Sequence, residues 1–482
     1  MNMPLRLLKG VVIGGEALLL GWLMMTEDLS WVGFLILGML GAALAAAIVS
    51  MNWPFGAFLL LTAASAMPGL SESVFGLHLR PEHVAIGFVA LAVCCEGIKE
   101  RKRPRLHLRT FDYFLIAYVG LNFFTSAVTS PQPSQTLRWA MLNAIVISPY
   151  FLLRFLIKDQ SGIHRAFHVL LWVGLIESAY GILCFLSNHI FQTTFGVEVG
   201  QYGAIPGIYG TQYEANLFGS YSACCAIMFL ACFLLSHESR RSWYGWGFAV
   251  TAVAAVISLA RSVFLAFPVA ALLVIWITLK KGGFQVRRLV PLLLGVSLLL
   301  VAFSPVVLSL VRERFSTIDL ADISADDTTW ARLIQMAVAV KDIQARPMLG
   351  TGTASFHLFF DPADYPVGFS EDADEPGWIG NTPLRILHDT GVVGLLVFLL
   401  FVGYLGVAVR KVARSATATN TAILTALSAG GVLYAITFQA TEATILAFTW
   451  VHLGLLATAV TILQEEPRSQ EAGEPDDLRR RL

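Results

Sequence analysis

Residues 312–390 are the one long polar stretch in a chain otherwise made of apolar runs, with thirteen aspartates and glutamates against six lysines and arginines. Near its end stands GNTPLRILHDTGVVGLL, in which His388 and Asp389 are adjacent just before an apolar run opens at Gly391. An imidazole there has the right ordinary pKa to take a proton from a sugar hydroxyl; a helix-surface histidine in routine hydrogen bonds is the alternative. Arg261, Arg332 and Arg385 are the candidate anion clamps, because a guanidinium grips two phosphate oxygens at once and stays charged. Against that stand a snorkelling interfacial arginine at 261 and ordinary surface arginines at 332 and 385. In GIYGTQYEANLFGSY, Glu214 is a second candidate base. Asn216 and Asn381 read as helix caps or support, and Asp389 as support or an acceptor contact.

Such groups need a scaffold, and composition says which kind. The 482 residues are 56% hydrophobic and 14% charged, against roughly 25% charged in a soluble protein, which makes this a polytopic membrane protein. Apolar runs long enough to span lie near 11–25, 31–50, 53–67, 83–97, 112–129, 139–157, 167–187, 215–235, 244–260, 263–279, 289–311, 391–409, 420–438 and 443–463. The expected fold is all-α, with about 12–14 transmembrane helices, the third and fourth short enough to form a re-entrant pair. The first run lacks a small-x-small cleavage site and reads as an uncleaved span. All six cysteines fall in apolar runs and read as small core residues.

Basic residues set the orientation. With an inside amino terminus, alternate connections carry 24 of the 33 lysines and arginines, so both termini are expected in the cytoplasm. The nine others, including Arg261, Arg332 and Arg385, fall on the outer side, six of them in the large loop. The chain divides into helices over 1–311, a large periplasmic loop over 312–390, further helices over 391–463 and a polar, disordered tail over 464–482. Within the loop, Trp330, Leu333, Ile334, Ala337, Val338 and Val340 sit at helical spacing, which predicts an amphipathic helix over 329–345 on the membrane or against the bundle. Asp319–Asp327 and Asp361–Glu375 read as solvated acidic loops. Glu16, Glu177 and Glu442 lie in or near apolar runs and are expected to pair inside the bundle.

No phosphate-cradling G-x-x-x-x-G-K-[ST], no dinucleotide G-x-G-x-x-G and no H-E-x-x-H occurs. No metal, cofactor or nucleic-acid partner is expected.

Three stretches in this order resemble the bacterial O-antigen ligase and polymerase superfamily of membrane glycosyltransferases: GIYGTQYEANLFGSY, SLARSVFLAF, and the large loop with WARLIQMAVAVKDIQARPMLGTGTASF and the Asn381-to-Gly391 segment. Two positions depart from the pattern. Gly380 stands where the ligase histidine precedes the asparagine, with His388 two turns later as a substitute, and Ala204 stands where an arginine often does. The resemblance implies metal-independent, inverting transfer of a glycan from undecaprenyl diphosphate at the periplasmic face of the inner membrane. It implies a second lipid-linked glycan as acceptor for a polymerase, or lipid A-core for a ligase. A lipid-linked oligosaccharide flippase is the reading from another class, and a peptidoglycan-type polymerase a third.

Overall fold

The computed structural model describes residues 53–70, 72–74, 77–99, 107–200, 203–236, 241–281, 327–359, 378–442 and 444–473. The spans expected near 11–25, 31–50 and 289–311, with Glu16, Arg312 and Arg314, lie outside the described residues. So do the acidic stretches 319–326 and 361–375 and the chain beyond 473.

Among the described residues the protein is all-α apart from two small hairpins. The helices are α1 (Trp53–Ser65), α2 (Pro81–Lys99), α3 (Thr110–Val128), α4 (Pro133–Ile147), α5 (Pro149–Leu156), α6 (Gln160–Phe191) and α7 (Ala215–Leu235). They continue with α8 (Arg241–Ile257), α9 (Arg261–Lys280), α10 (Asp327–Ala345), α11 (Ser355–Phe359), α12 (Thr382–Val412), α13 (Ala418–Thr437) and α14 (Ala447–Gly473). Among the described residues nine segments are long and apolar enough to cross a membrane, α4 and α5 counting as one. The hairpins pair β1 (Glu72–Val74) with β2 (Leu77–Leu79) and β3 (Val197–Gly200) with β4 (Gly203–Ile208), both antiparallel. Strands this short show no usable alternation in sequence.

Several boundaries differ from the apolar runs. The run at 139–157 is two helices, because Pro149 has no N–H to continue the ladder and instead opens α5. The fourth run is a 19-residue helix, α2, while the third is the 13-residue α1. Helix α12 starts at Thr382, nine residues ahead of the apolar run, and α14 continues through Gly473. Cys184, Cys224, Cys225 and Cys232 are buried as expected, but Cys94 and Cys95 are exposed on the outer surface of α2.

Helix α7 is the axis: every residue from Ala215 to Leu235 is buried, which is what an all-round apolar helix requires. Its neighbours approach through glycine. A Cβ on Gly174 of α6 would lie 2.2 Å from Cys225 Sγ, and one on Gly247 of α8 would lie 2.2 Å from Phe229. Small residues at such contacts let membrane helices pack backbone to backbone.

Hydrogen bonds between connections sort the bundle into two ends. Gly69 N–H donates to Thr211 O (2.9 Å), Thr353 N–H to Ser126 Oγ (3.0 Å), Thr382 N–H to Phe438 O (2.8 Å) and Arg80 to Ile445 O (2.9 Å). All eight connecting points belong to the side where basic residues are scarce. At the other end Arg109 pairs with Glu465 (2.6 Å), Arg154 with Asp112, and Lys281 Nζ donates to Ala413 O (3.2 Å).

Candidate functional site

The candidate site is built where α12 breaks. Gly391 has φ 68° and ψ −172° inside the helix, so the carbonyls and N–H groups around it lose their helical partners. The segment 347–352 supplies replacements. Thr351 N–H donates to His388 O (2.9 Å) and Gly352 N–H to Asp389 O (3.0 Å), while Val392 N–H donates to Pro347 O (2.8 Å). This close crossing explains the glycines: a Cβ on Gly391 would sit 2.2 Å from Met348 backbone, and one on Gly350 2.4 Å from His388 O. Both have positive φ, where side chains are strained.

The break holds His388 and Asp389 inward. Both are buried. His388 Nδ1 lies 3.2 Å from Asp389 Oδ1, and its Nε2 lies 3.2 Å from Asp342 Oδ2 on α10. Thr351 Oγ1 touches the ring edge at 3.2 Å from Nδ1 and 3.4 Å from Nε2, and the Phe356 ring stands edge-on at 5.6 Å. Asp389 is itself pinned, its Oδ2 accepting from Ala354 N–H at 3.1 Å. A carboxylate on each side of an imidazole favours a proton on both nitrogens or a fixed tautomer, and either way fixes the ring.

Helix α10 carries the Asp342 partner. It forms over the predicted stretch and rests on the bundle: Ala339 is buried with Phe356 and Ile379, against Val338 and Leu384. The same packing sets Arg332 over Gly380, where an added Cβ would come within 3.8 Å of its Nε. Asn381 caps α12, its Oδ1 accepting from Leu384 N–H (2.8 Å), and its Nδ2 donates to Gln439 O (2.9 Å).

Arg385 is placed differently from Arg332. It is buried, with Nε 3.2 Å from Glu442 Oε2 and a terminal nitrogen donating to Thr444 Oγ1 at 3.1 Å. Glu442 also accepts from Thr444 N–H at 2.7 Å. The Glu442 pairing agrees with its expected role, and it commits Arg385 to Glu442 and Thr444 rather than to open solvent.

Glu214, Asn216 and Arg261 form the second part. Glu214 is the N-cap residue of α7, without a side-chain capping bond, so Asn216 is not the cap that the sequence suggests but a buried first-turn residue. Arg261 opens α9 after the tight 258–260 link, in which Leu259 has φ 55°. That link lies on α7: a Cβ on Gly219 would meet Ser258 Oγ at 2.3 Å. Gly430 of α13 faces Cys224 of α7, and further along Tyr434 and Tyr221 pack on the same ring, Phe448, at 5.7 and 5.4 Å, so the two helices run antiparallel. Counting eight residues along each from there brings Asn216 level with Phe438, the residue that holds Thr382. The two parts therefore share one end of the bundle, on either side of α13; no hydrogen bond joins them directly among the described residues.

Two residues escaped the sequence reading. Asp342 looks like any acid on the polar face of an amphipathic helix, and Thr351 like a loop threonine. Glu177, expected to pair inside the bundle, accepts from Thr211 N–H (3.0 Å) and Thr211 Oγ1 (2.8 Å), tying the 203–214 segment to α6.

The O-antigen ligase family model matches residues 246–399. The matched span runs from α8 through the Gly391 break and contains Arg261, Arg332, Asn381, Arg385, His388 and Asp389. It supports the O-antigen ligase/polymerase superfamily, and with it a multi-pass bacterial membrane protein with glycosyl transfer of that general type. No curated protein matches the chain.

Proposed function

We propose that this protein polymerises glycan repeat units at the periplasmic face of the bacterial inner membrane. An undecaprenyl-diphosphate-linked glycan is the donor and a second lipid-linked glycan the acceptor, with inversion at the transferred sugar and without a metal ion. The observation that carries this reading is the gathering of the candidate cations, the His388–Asp389 pair and three helix starts at one end of the bundle.

The chemistry asks for two things there. The diphosphate gains charge as it leaves, and prearranged cations stabilise that charge by about 2.7–4 kcal/mol for each strong donor. Arg332 and Arg261 are the candidates for this, helped by the positive ends of α7 and α9, whose cap residues make no side-chain capping bond. Arg385, held by Glu442, keeps the site in place. The acceptor hydroxyl must also lose its proton, which the His388 cluster or Glu214 would take. Closure of the large loop over the site would keep out water, the competing acceptor.

The name of the matching family, O-antigen ligase, favours a second reading, transfer of the glycan to lipid A-core. Cells carrying Arg332→Ala, checked for normal membrane abundance, separate the two. Loss of long chains with accumulation of single repeats supports a polymerase; long lipid-linked chains that never reach the final acceptor support a ligase. Purified protein in detergent, without compartments, must still transfer glycan; failure there returns the flippase reading.

A further inference from the structure

The chain of contacts Asp389–His388–Asp342 runs from the interior to the surface. The His388 side chain is 1% exposed and that of Asp389 3%, whereas that of Asp342 is 43% exposed. A base must approach the proton it takes to about 2.6–3.2 Å. Both ring nitrogens of His388 already face carboxylates, and Thr351 and Phe356 cover its edges. An acceptor hydroxyl has almost no histidine surface to touch.

We infer that Asp342 is the catalytic residue that takes the acceptor's proton, and that His388 and Asp389 are positioning residues behind it. This rests on the glycosyl-transfer reading above. Asp342 is tethered without being enclosed: its Oδ2 faces the buried imidazole while 43% of its side chain stays exposed. Its helix is anchored three residues away by buried Ala339. In the step, the acceptor O–H proton passes to the Asp342 carboxylate while the acceptor oxygen forms its bond to the anomeric carbon. The bond from that carbon to the diphosphate oxygen breaks, and its electron pair leaves with the diphosphate. The proton on Asp342 then returns to water.

The test uses the full chain purified in detergent, with the polyprenyl-diphosphate-linked glycan pool extracted from the source cells as donor and acceptor. Asp342→Asn is expected to lower kcat by about 10²–10⁴-fold with KM little changed, and Asp342→Glu to recover part of it. Asp342→Gly is expected to regain activity on addition of sodium formate, a small carboxylate that enters the vacated space. A residue with only a structural role would not respond to formate. His388→Gln is expected to be impaired and unresponsive. Wild-type kcat in Asp342→Asn, or a folded Asp342→Gly that formate leaves unchanged, overturns the assignment while the transferase reading stands. A wild-type protein that transfers no glycan in this assay overturns both. If Asp342→Asn fails to fold, the glutamate and formate results decide alone.

Discussion

The two ends of the bundle each bury a carboxylate beside a cationic or ionisable partner, and they finish the job differently. At the end rich in basic residues, Asp112 is fully buried and both oxygens are used. Arg154 reaches them with a two-pronged fork at 2.5 Å each, Tyr150 donates at 2.7 Å and Arg109 N–H at 2.6 Å. The guanidinium is flanked by the Phe111 and Tyr150 rings. At the opposite end, the chain from Asp389 through His388 stops at a carboxylate that faces solvent. A closed network can only hold the fold, since it has no oxygen left to offer; an open-ended one can hold the fold and still exchange a proton.

The largest effect expected from this contrast is at the closed end. Asp112→Ala leaves Arg154 buried without its partner, which costs on the order of 3–5 kcal/mol. Melting of the detergent-solubilised protein should fall sharply, while activity per folded molecule stays at the wild-type level. A stable Asp112→Ala protein would mean that the closed network anchors nothing.

Arg332→Ala should do the reverse. It is expected to slow transfer about 10²–10³-fold with little change in melting, because its guanidinium lies over Gly380 and has no ion pair among the described residues. If melting falls and activity per folded molecule does not, Arg332 belongs with the structural charges and the contrast between the ends weakens.

Glu177→Ala should fall between the two. It strands the buried Thr211 N–H, while the Thr211 hydroxyl keeps Ala66 O as an acceptor, a loss of about 1–3 kcal/mol. Because Thr211 lies three residues before Glu214, activity should drop along with stability, and Glu177→Gln, which keeps an acceptor oxygen, should recover much of both. Full activity in Glu177→Ala would detach the 203–214 segment from the site.

These contrasts also explain what the sequence could say. The spans were legible because lipid demands long apolar runs, and α7 matches the expected 215–235 run at both ends. Asn381 was legible as a cap because an asparagine followed by Thr-Pro has few other uses at a helix start. The site was legible only in part. His388 and Asp389 stand out by their type, but Asp342 is 46 residues away and gains its meaning from the α10–α12 packing alone. Arg385 and Arg332 look equivalent in sequence; Glu442, across α13, is what separates them. The capping role assigned to Asn216 failed by two residues, because α7 starts after Glu214 rather than at the asparagine.

The smallest difference lies in the caps. Each end has a helix held by a side-chain oxygen: Asn381 Oδ1 accepts from Leu384 N–H at the open end, and Asp159 Oδ1 accepts from Gly162 N–H (2.6 Å) at the closed end. The neutral cap cannot titrate, whereas the charged one can. Hydrogen bonds from Gly162 N–H and Ser161 Oγ pull the Asp159 carboxyl below its usual range. A carboxyl depressed by folding adds stability above its unfolded pKa, about 3.9, and that stability drains away as pH falls through the lower folded value. Asp159 is exposed and screened, so Asp159→Ala should cost only about 0.5 kcal/mol at pH 7. Asn381→Ala, which also loses the bond to Gln439, should cost about 1 kcal/mol. Melting each variant beside wild type from pH 7 down to pH 3 separates the two caps. The Asp159 difference should shrink below about pH 4 and the Asn381 difference should hold. Parallel curves would show that charge at the closed end adds nothing to its caps, and the distinction between the ends would then rest on the buried networks alone.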